Sequence, residues 1–251
     1  MIEITEVPDL NNDGATDLSD IELLLRNNNN VLTLLDGDGD FRSDESIGFL
    51  IEADIVVTNP PFSLLREFIL QLVKYKKDFI ILGSPNITTN KEIFPLLKNN
   101  KIWLGVKPWS EELYFNVPEE RQRWLVENKK EGSAYVIKDG VVLGRAPVLW
   151  YTNLDIQKRH EEIILYKHYS PKEYPKYDNY DAINVNKTSE IPCDYDGIMG
   201  VPITFLDKYN PEQFELIGEA NHGIDSSYDL FAPVINGKSI FKRLLIKRRK
   251  Q

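Results

Sequence analysis

One short loop of the sequence carries residue types suited to chemistry on an amino group. Asn59, Pro60, Pro61 and Phe62 follow Thr58 and, before it, residues 54–57, an Asp-Ile-Val-Val run typical of a strand. Two consecutive prolines fix φ near about −65° and lack N–H donors, so the loop is stiff and presents the Asn59 amide and the Pro60 carbonyl as acceptors. We expect this pair to accept both hydrogens of an exocyclic NH₂ group and to aim its lone pair at an electrophile.

Phe62 adds a flat apolar face to this loop, on which a base extruded from a duplex could stack. Ser63 then begins a helical run over residues 64–73, so the loop joins a strand to a helix. Open α/β sheets bind ligands beyond the carboxyl ends of their strands. The alternative is an ordinary strand-ending turn, since Pro-Pro is common between elements; the strand before it favours the functional interpretation.

An N-terminal stretch has the spacing of a calcium-binding loop. Oxygen-bearing side chains stand at loop positions 1, 3, 5, 9 and 12, with glycine at position 6 and a helical run over residues 21–26 after them. The candidate ligands are Asp9, Asn11, Asp13, Asp17 and Asp20. Position 12 holds an aspartate where the motif has a longer glutamate, so an acidic turn that caps a helix is favoured. A calcium-dependent interaction module is the alternative.

The composition limits the class of protein. With 251 residues, 42% of them hydrophobic, the chain can form one large domain or two small ones. It contains no run of eighteen apolar residues and no charged-then-apolar leader, so we expect a cytoplasmic protein with no membrane partner. The single cysteine, Cys193, excludes a disulfide framework. His160, His168 and His222 lack ligand spacing, so calcium in the acidic loop is the one metal considered.

The charge argues against a generally basic nucleic-acid binder, because the net charge is −9. Two segments could still contact DNA. The tail, residues 242–250, concentrates six basic residues that could bind phosphate, or it could be a solvated, frayed terminus. Residues 166–187 are rich in tyrosine, lysine and asparagine, a mix that suits backbone and base-edge contacts or an irregular surface loop.

The elements that position the loop follow from hydrophobic periodicity. Strands are predicted at 31–35, 54–57, 78–83, 102–106 and 148–152, and helices at 47–53 after a Ser43 cap, 64–76 and 91–99. Residues 134–143 predict a hairpin with an Asp-Gly turn. Strands alternating with amphipathic helices indicate a parallel, doubly wound α/β sheet, with antiparallel additions and an insertion after residue 107.

Several segments together resemble the EcoRI-type adenine-specific DNA methyltransferase family. The likeness runs from about residue 36 to near the C-terminus and lies in residues 37–43, 53–64, 98–106, 152–155 and 174–217. It implies methyl transfer from S-adenosyl-L-methionine to N6 of a flipped adenine in double-stranded DNA, within a restriction-modification system. By position before Asn59, Asp40 with Phe41 resembles the pair that binds the cofactor's adenine. Asp38 is the second choice, and a glycine-rich acidic turn is the alternative.

The resemblance also implies a fold and a division of the chain. We expect a partial Rossmann-like class I methyltransferase sheet with helices on both faces, followed by a C-terminal α+β target-recognition region. Residues 1–35 would be an N-terminal remnant with the calcium-loop-like turn, residues 36–110 the catalytic core, and residues 111–251 the part that completes the sheet and recognises the target.

One departure from the family bears on activity. Only 36 residues precede Gly37, and none resembles the loop that holds the methionine and ribose of the cofactor. The chain therefore resembles the C-terminal two-thirds of a family member, and a complementing N-terminal polypeptide is an expected partner. The alternative function is a non-catalytic DNA-binding remnant. RNA and protein-glutamine methyltransferases use a similar turn, and the wider resemblance is what selects DNA.

Overall fold

The computed structural model describes residues 2–4, 7–26, 31–32, 34–220 and 232–249. Contacts divide the chain into two compact units, Met1–Ala53 and Asp54–Gln251. His222 lies outside the described residues. Within the ranges described, no helix is both long and apolar enough to cross a membrane.

The first unit is built from short elements. Ser43 caps its second helix as predicted, because its Oγ accepts a hydrogen bond from the backbone of Ser46. The predicted strand over 31–35 is wrong in length: only its first two residues pair with another strand, Leu34 and Leu35 are exposed, and Thr33 lies outside the described residues. In chain order the elements are β1 (Ile2–Glu3), α1 (Leu18–Arg26), β2 (Val31–Leu32) and α2 (Asp44–Glu52).

The second unit begins with a mixed α/β region. Its elements are β3 (Ile55–Thr58), α3 (Leu65–Lys74), β4 (Asp78–Gly83), a 3-10 helix (Pro85–Thr89), α4 (Phe94–Lys98), β5 (Trp103–Leu104), β6 (Leu113–Asn116), α5 (Glu119–Asn128), β7 (Tyr135–Lys138), β8 (Val141–Ala146) and β9 (Leu149–Thr152). Helix α4 is shorter than predicted because Pro95, which lacks an N–H donor, stands in its first turn.

Four of these strands form a sheet in the order β3-β4-β9-β5. Strands β3 and β4 are parallel, whereas β9 runs antiparallel to both β4 and β5. The predicted parallel pairing is thus confirmed for β3 and β4, and the predicted antiparallel addition is confirmed at β9. The sheet is mixed rather than wholly parallel.

The core of this sheet lies between β4 and α3. Leu65, Ile69 and Leu72 recur at helical spacing on α3 and are fully buried, as are Phe79 and Ile81 on alternate positions of β4. This packing fixes where α3 begins.

Gly83, at the end of β4, allows the side chains of Leu65 and Tyr151 to lie close to the backbone of this strand. A Cβ atom there would lie 2.5 Å from Cδ2 of Leu65 and 3.0 Å from the ring of Tyr151. The start of α3 therefore rests against the end of β4.

The insertion forms a separate three-stranded sheet, β6-β8-β7. The predicted hairpin is confirmed: β7 and β8 are antiparallel, and Asp139 (φ 51°) and Gly140 (φ 79°) make the turn. Positive φ at both central residues is the geometry that matches the twist of the flanking strands, which is why Asp-Gly signals a hairpin.

The remaining chain forms a second four-stranded sheet in the order β10-β11-β15-β12. The strands of this sheet are β10 (Ala182–Asn184), β11 (Ile198–Val201), β12 (Phe214–Ala220) and β15 (Arg243–Arg248). Strands β13 (Val234–Ile235) and β14 (Lys238–Ser239) pair as a separate two-stranded sheet, and 3-10 helices lie at Gln157–His160, Thr188–Glu190 and Ile203–Lys208. Within the described residues after 110, α5 is the one α-helix, so the expected C-terminal α+β region is mainly β.

The basic tail is not frayed over residues 243–248, which form β15 between β11 and β12. Leu244, Leu245 and Ile246 are buried and hold the strand in place. Two of its cations have partners within the fold, because the Arg243 side chain donates to Asn184 and the Arg248 guanidinium donates to the Cys193 carbonyl. Apolar residues between the charges thus decide the structure of this segment.

Candidate active site

The strand tip predicted from the sequence is present. Strand β3 ends at Thr58, and the next residue, Asn59, is exposed. Pro60 is buried, whereas Pro61 is exposed and Phe62 is 47% exposed. The loop thus anchors one proline in the fold and presents the amide and the ring to solvent.

Neither proposed acceptor is used in a hydrogen bond among the described residues. Within the described part of the chain, the Asn59 side chain makes no hydrogen bond and the Pro60 carbonyl accepts none. The backbone beyond them is ordered by a turn, in which Leu64 N donates to the Pro61 carbonyl at 2.9 Å and Leu65 N donates to the Phe62 carbonyl at 3.4 Å. This turn leads directly into α3, whose first residue is buried.

The acidic turn at residues 36–42 contains an arginine that pairs with Asp40, a contact that the sequence did not lead us to expect. The Asp40 carboxylate accepts hydrogen bonds from Arg42, at 2.8 Å from its backbone N, 2.9 Å from Nε and 2.6 Å from Nη2. The Arg42 side chain lowers the pKa of Asp40 to about 2. The Arg42 guanidinium also lies 5.4 Å from the centroid of the Phe41 ring. An arginine two residues after the aspartate was the available signal.

These residues fit the adenine of a cofactor in their chemistry. An ionised carboxylate accepts from an amino group, and each of its oxygens has more than one lone pair. Asp38 is exposed, and one of its oxygens accepts from Asp40 N at 3.1 Å. Glu45 supports the turn by accepting from the backbone of Asp36 and Gly37. The turn thus offers charged acceptors beside an aromatic ring.

The calcium-like loop is closed by its own hydrogen bonds. The Asp20 carboxylate accepts from the backbone N atoms of Leu10 (2.7 Å), Asn11 (3.2 Å) and Asp17 (3.0 Å). The bond from Asp17 is the main cause of a lowered pKa at Asp20. Asp17 in turn caps α1 by accepting from Ser19 N at 2.8 Å. These contacts match the acidic, helix-capping turn that the sequence favours.

The tyrosine- and asparagine-rich block is partly internal. Tyr177 is buried and donates from its hydroxyl to the amide of Asn184, which is buried too, and Tyr174 is buried with its hydroxyl on the Glu190 carbonyl. DNA contacts by these side chains, as the sequence suggested, conflict with that burial. Asn186 and Lys187 remain exposed.

Comparison with known proteins identifies the family. A model of the family described as "Adenine-specific methyltransferase EcoRI" matches residues 1–249. The chain is 51% identical over 216 residues to Type II methyltransferase M.EcoRI of Escherichia coli, covering 85% of this chain and 63% of that protein.

Two mycoplasma proteins are also similar. Type II methyltransferase M.MgeORF184P of Mycoplasma genitalium is 45% identical over 191 residues, which is 74% of this chain and 58% of that protein. Type II methyltransferase M.MpnI of Mycoplasma pneumoniae is 40% identical over 186 residues, which is 73% of this chain and 57% of that protein.

The chain thus spans about 60% of the length of the curated relatives it matches. No solved structure matches it significantly. The family match covers nearly every residue, including the tip of β3 and the acidic turn, and the chain therefore belongs to the EcoRI family of adenine-specific methyltransferases.

Proposed function

We propose that this chain carries the catalytic and target-recognition part of a site-specific DNA adenine N6-methyltransferase of a restriction-modification system. The observation that carries the proposal is the tip of β3. There an amide and a carbonyl, with no hydrogen-bond partner among the described residues, stand beside a half-exposed phenylalanine. Membership of the family and the names of the relatives support this assignment.

The two acceptors act on the amino group of the target base. One N6 hydrogen is donated to the Asn59 amide oxygen and the other to the Pro60 carbonyl. Drawing both hydrogens toward acceptors localises the nitrogen lone pair and directs it at the electrophile. When the new N–C bond forms, the sulfur–methyl bond of the donor would break with its electron pair left on sulfur, and N6 would then pass one proton to water. Holding the reacting atoms in this way is an orientation effect, since the loop is fixed before substrate arrives.

Phe62 stabilises the extruded base. An adenine leaves the duplex at the cost of a few kcal/mol of stacking and pairing, and an aromatic face recovers part of that cost. A ring that is 47% exposed next to the acceptors has the area to do so. Asn186 and Lys187, both exposed, are candidates for contacts to the DNA backbone.

S-adenosyl-L-methionine supplies the electrophilic methyl group when bound. Asp40 with Phe41 would hold its adenine, and Asp38 is the alternative carboxylate. Because Arg42 already binds both oxygens of Asp40, adenine would share that carboxylate or use Asp38. The role of Arg42 is then to hold the Asp40 carboxylate in a fixed orientation.

A complementing N-terminal polypeptide is the partner that the open side of β3 supports. This strand is the edge of its sheet in the described structure, and its Ile55 and Val57 side chains are 50% and 67% exposed. Exposed β-branched residues on a parallel edge strand are unusual, because parallel sheets bury both faces. A strand paired with the free edge of β3, followed by a helix packed over Ile55 and Val57, would extend this sheet toward the expected Rossmann-like arrangement. We propose that the assembled enzyme acts in the cytoplasm, because its proposed substrate is cellular DNA.

Labelled-methyl transfer to duplex DNA tests the proposal. The chain is assayed alone and mixed with a polypeptide that represents the part of a family member ahead of the matched region. We expect label on adenine N6 with the mixture. If neither preparation transfers label, and calorimetry shows duplex binding without S-adenosyl-L-methionine binding, the chain is the non-catalytic DNA-binding remnant instead.

A further inference from the structure

Two irregular segments, residues 167–169 and 192–194, contact each other. Lys167 forms an isolated parallel bridge with Pro192, and Cys193 N donates to the Lys167 carbonyl at 2.8 Å. Tyr169 N donates to a carboxylate oxygen of Asp194 at 2.7 Å. These backbone contacts hold the residue between them, His168, directly beside the Cys-Asp pair.

Three side chains of different chemistry converge there. Nδ1 of His168 lies 3.0 Å from Oδ2 of Asp194 and 3.8 Å from Sγ of Cys193. All three ligand atoms lie within 4.8 Å of one another, and no other group of three or more such side chains meets that criterion within the described ranges. Imidazole nitrogen, thiolate sulfur and carboxylate oxygen are the three ligand types of zinc sites in proteins.

The distances suit one ion. With ordinary Zn–N, Zn–O and Zn–S bonds and tetrahedral angles, the N···O edge is about 3.4 Å and the N···S edge about 3.6 Å. The observed separations of 3.0 Å and 3.8 Å differ from these edges by a few tenths of an ångström. Side-chain torsions alone can absorb such a difference.

The site is accessible. The side chains of His168 and Asp194 are 77% and 47% exposed, and Cys193 is partly exposed. The opposing charge nearby is Arg248, whose guanidinium donates to the Cys193 carbonyl and lies 3.5 Å from Asp196. The carboxylate of Asp196 offsets that charge, so the cluster is not repulsive to a cation.

We propose that His168, Cys193 and Asp194 bind one zinc ion, which clamps the segment around residue 168 to the turn at residues 193–194 and leaves a fourth coordination position open. This site is independent of the methyl-transfer site. Neither a single cysteine nor scattered histidines predicts it from the sequence, because the His and Cys ligands are 25 positions apart.

An ordinary surface ion pair of the same chain, at His160, is a matched control for the proposed zinc site. His160 lies 2.7 Å from an Asp155 oxygen and 3.3 Å from a Glu212 oxygen, so it has a similar carboxylate environment without sulfur. A cluster that binds zinc through sulfur and imidazole must differ from it in metal affinity.

Titration of the full, reduced chain with Zn²⁺ and with Co²⁺ tests the proposal. We expect one zinc ion per chain by calorimetry, and a sulfur-to-cobalt charge-transfer band with visible ligand-field bands. Cys193→Ser should abolish the charge-transfer band, and His168→Ala should weaken zinc binding at least about tenfold, the lower bound found even for outer-sphere partners. His160→Ala should change neither.

Two results would overturn the proposal. One is an absence of zinc binding by the wild-type chain. The other is zinc affinity and cobalt spectra that stay the same in Cys193→Ser and His168→Ala. Circular dichroism of each variant verifies folding, and Asp194→Asn provides a third, independent substitution at the same site.

Discussion

Arg42 holds the Asp40 carboxylate in a two-pronged contact, with Nε 2.9 Å from Oδ1 and Nη2 2.6 Å from Oδ2. Bidentate guanidinium–carboxylate pairs fix the orientation of both groups as well as their charge. In the acidic turn, this pair fixes where the Asp40 carboxylate points and lowers its pKa.

Replacing Arg42 should therefore change how Asp40 titrates. Hydrogen bonding from the Arg42 side chain lowers the pKa of Asp40 to about 2. Because the folded pKa is depressed, the stabilisation by this pair is present above the unfolded pKa of about 3.9 and is lost as the pH falls through about 2. In Arg42→Gln we expect the pKa of Asp40 to rise toward about 3.9.

Carboxyl ¹³C shifts followed over pH measure that midpoint. Arg26→Gln is the control, since Arg26 lies 3.9 Å from Glu22 in α1 and does not contact Asp40. An Asp40 midpoint that is the same in wild type and Arg42→Gln would show that the contact does not lower the pKa of Asp40.

Phe62→Ala should impair base extrusion. Loss of a stacking face costs about 1–3 kcal/mol per base, so we expect a lower fluorescence increase from 2-aminopurine at the target position and weaker complex formation. Phe62→Trp should preserve both. Phe49→Ala removes a ring of similar exposure on α2 and serves as the control. Equal fluorescence in Phe62→Ala and wild type would count against the stacking role.

Gly83→Ala should destabilise the second unit. The added methyl would meet Leu65 at 2.5 Å and Tyr151 at 3.0 Å, and overpacking of this kind costs about 1–3 kcal/mol. Gly48→Ala, on α2 with nothing within 4 Å of the added methyl, should instead be neutral or stabilising by about 0.5–1 kcal/mol. Denaturant unfolding of both variants measures the difference, and equal stabilities would refute the packing at β4.

Lys158→Ala should cost far more stability than Lys176→Ala. Lys158 forms a mostly buried ion pair with Asp207 at 2.6 Å and also donates to the Gly105 carbonyl, so its loss should cost about 1.5–3 kcal/mol. Lys176 pairs with Asp181 at 3.4 Å on the surface, where such pairs contribute about 0–1 kcal/mol. Chemical unfolding compares them, and similar losses would contradict the assigned burial.

Local signals in the sequence were enough for the strand tip and the hairpin. The Asn-Pro-Pro-Phe loop follows a β-branched run and ends at a helix, and the Asp139-Gly140 turn needs positive φ at both residues. Each depends on residues a few positions apart, which is the range over which periodicity and turn chemistry act.

Contacts between distant residues could not be predicted in this way. Tyr177 lies in a block whose composition predicts either DNA contacts or an irregular surface loop, yet its hydroxyl donates to Asn184 inside the fold. The charges of the basic tail predict either phosphate binding or a solvated, frayed terminus, whereas three buried apolar residues within it hold it in the sheet as β15. Whether these residues are buried depends on contacts with residues tens of positions away, and the local spacing of residue types does not predict such contacts.

Labelled-methyl transfer to duplex DNA by Asn59→Ala, measured in the preparation that contains the complementing polypeptide, tests the central claim most directly. We expect the rate to fall by about 100-fold or more, as when one pre-positioned polar group is removed from an active site. Asn128→Ala, an exposed asparagine at the end of α5, should transfer at the wild-type rate. Transfer to adenine N6 by Asn59→Ala at the rate of Asn128→Ala would contradict the account.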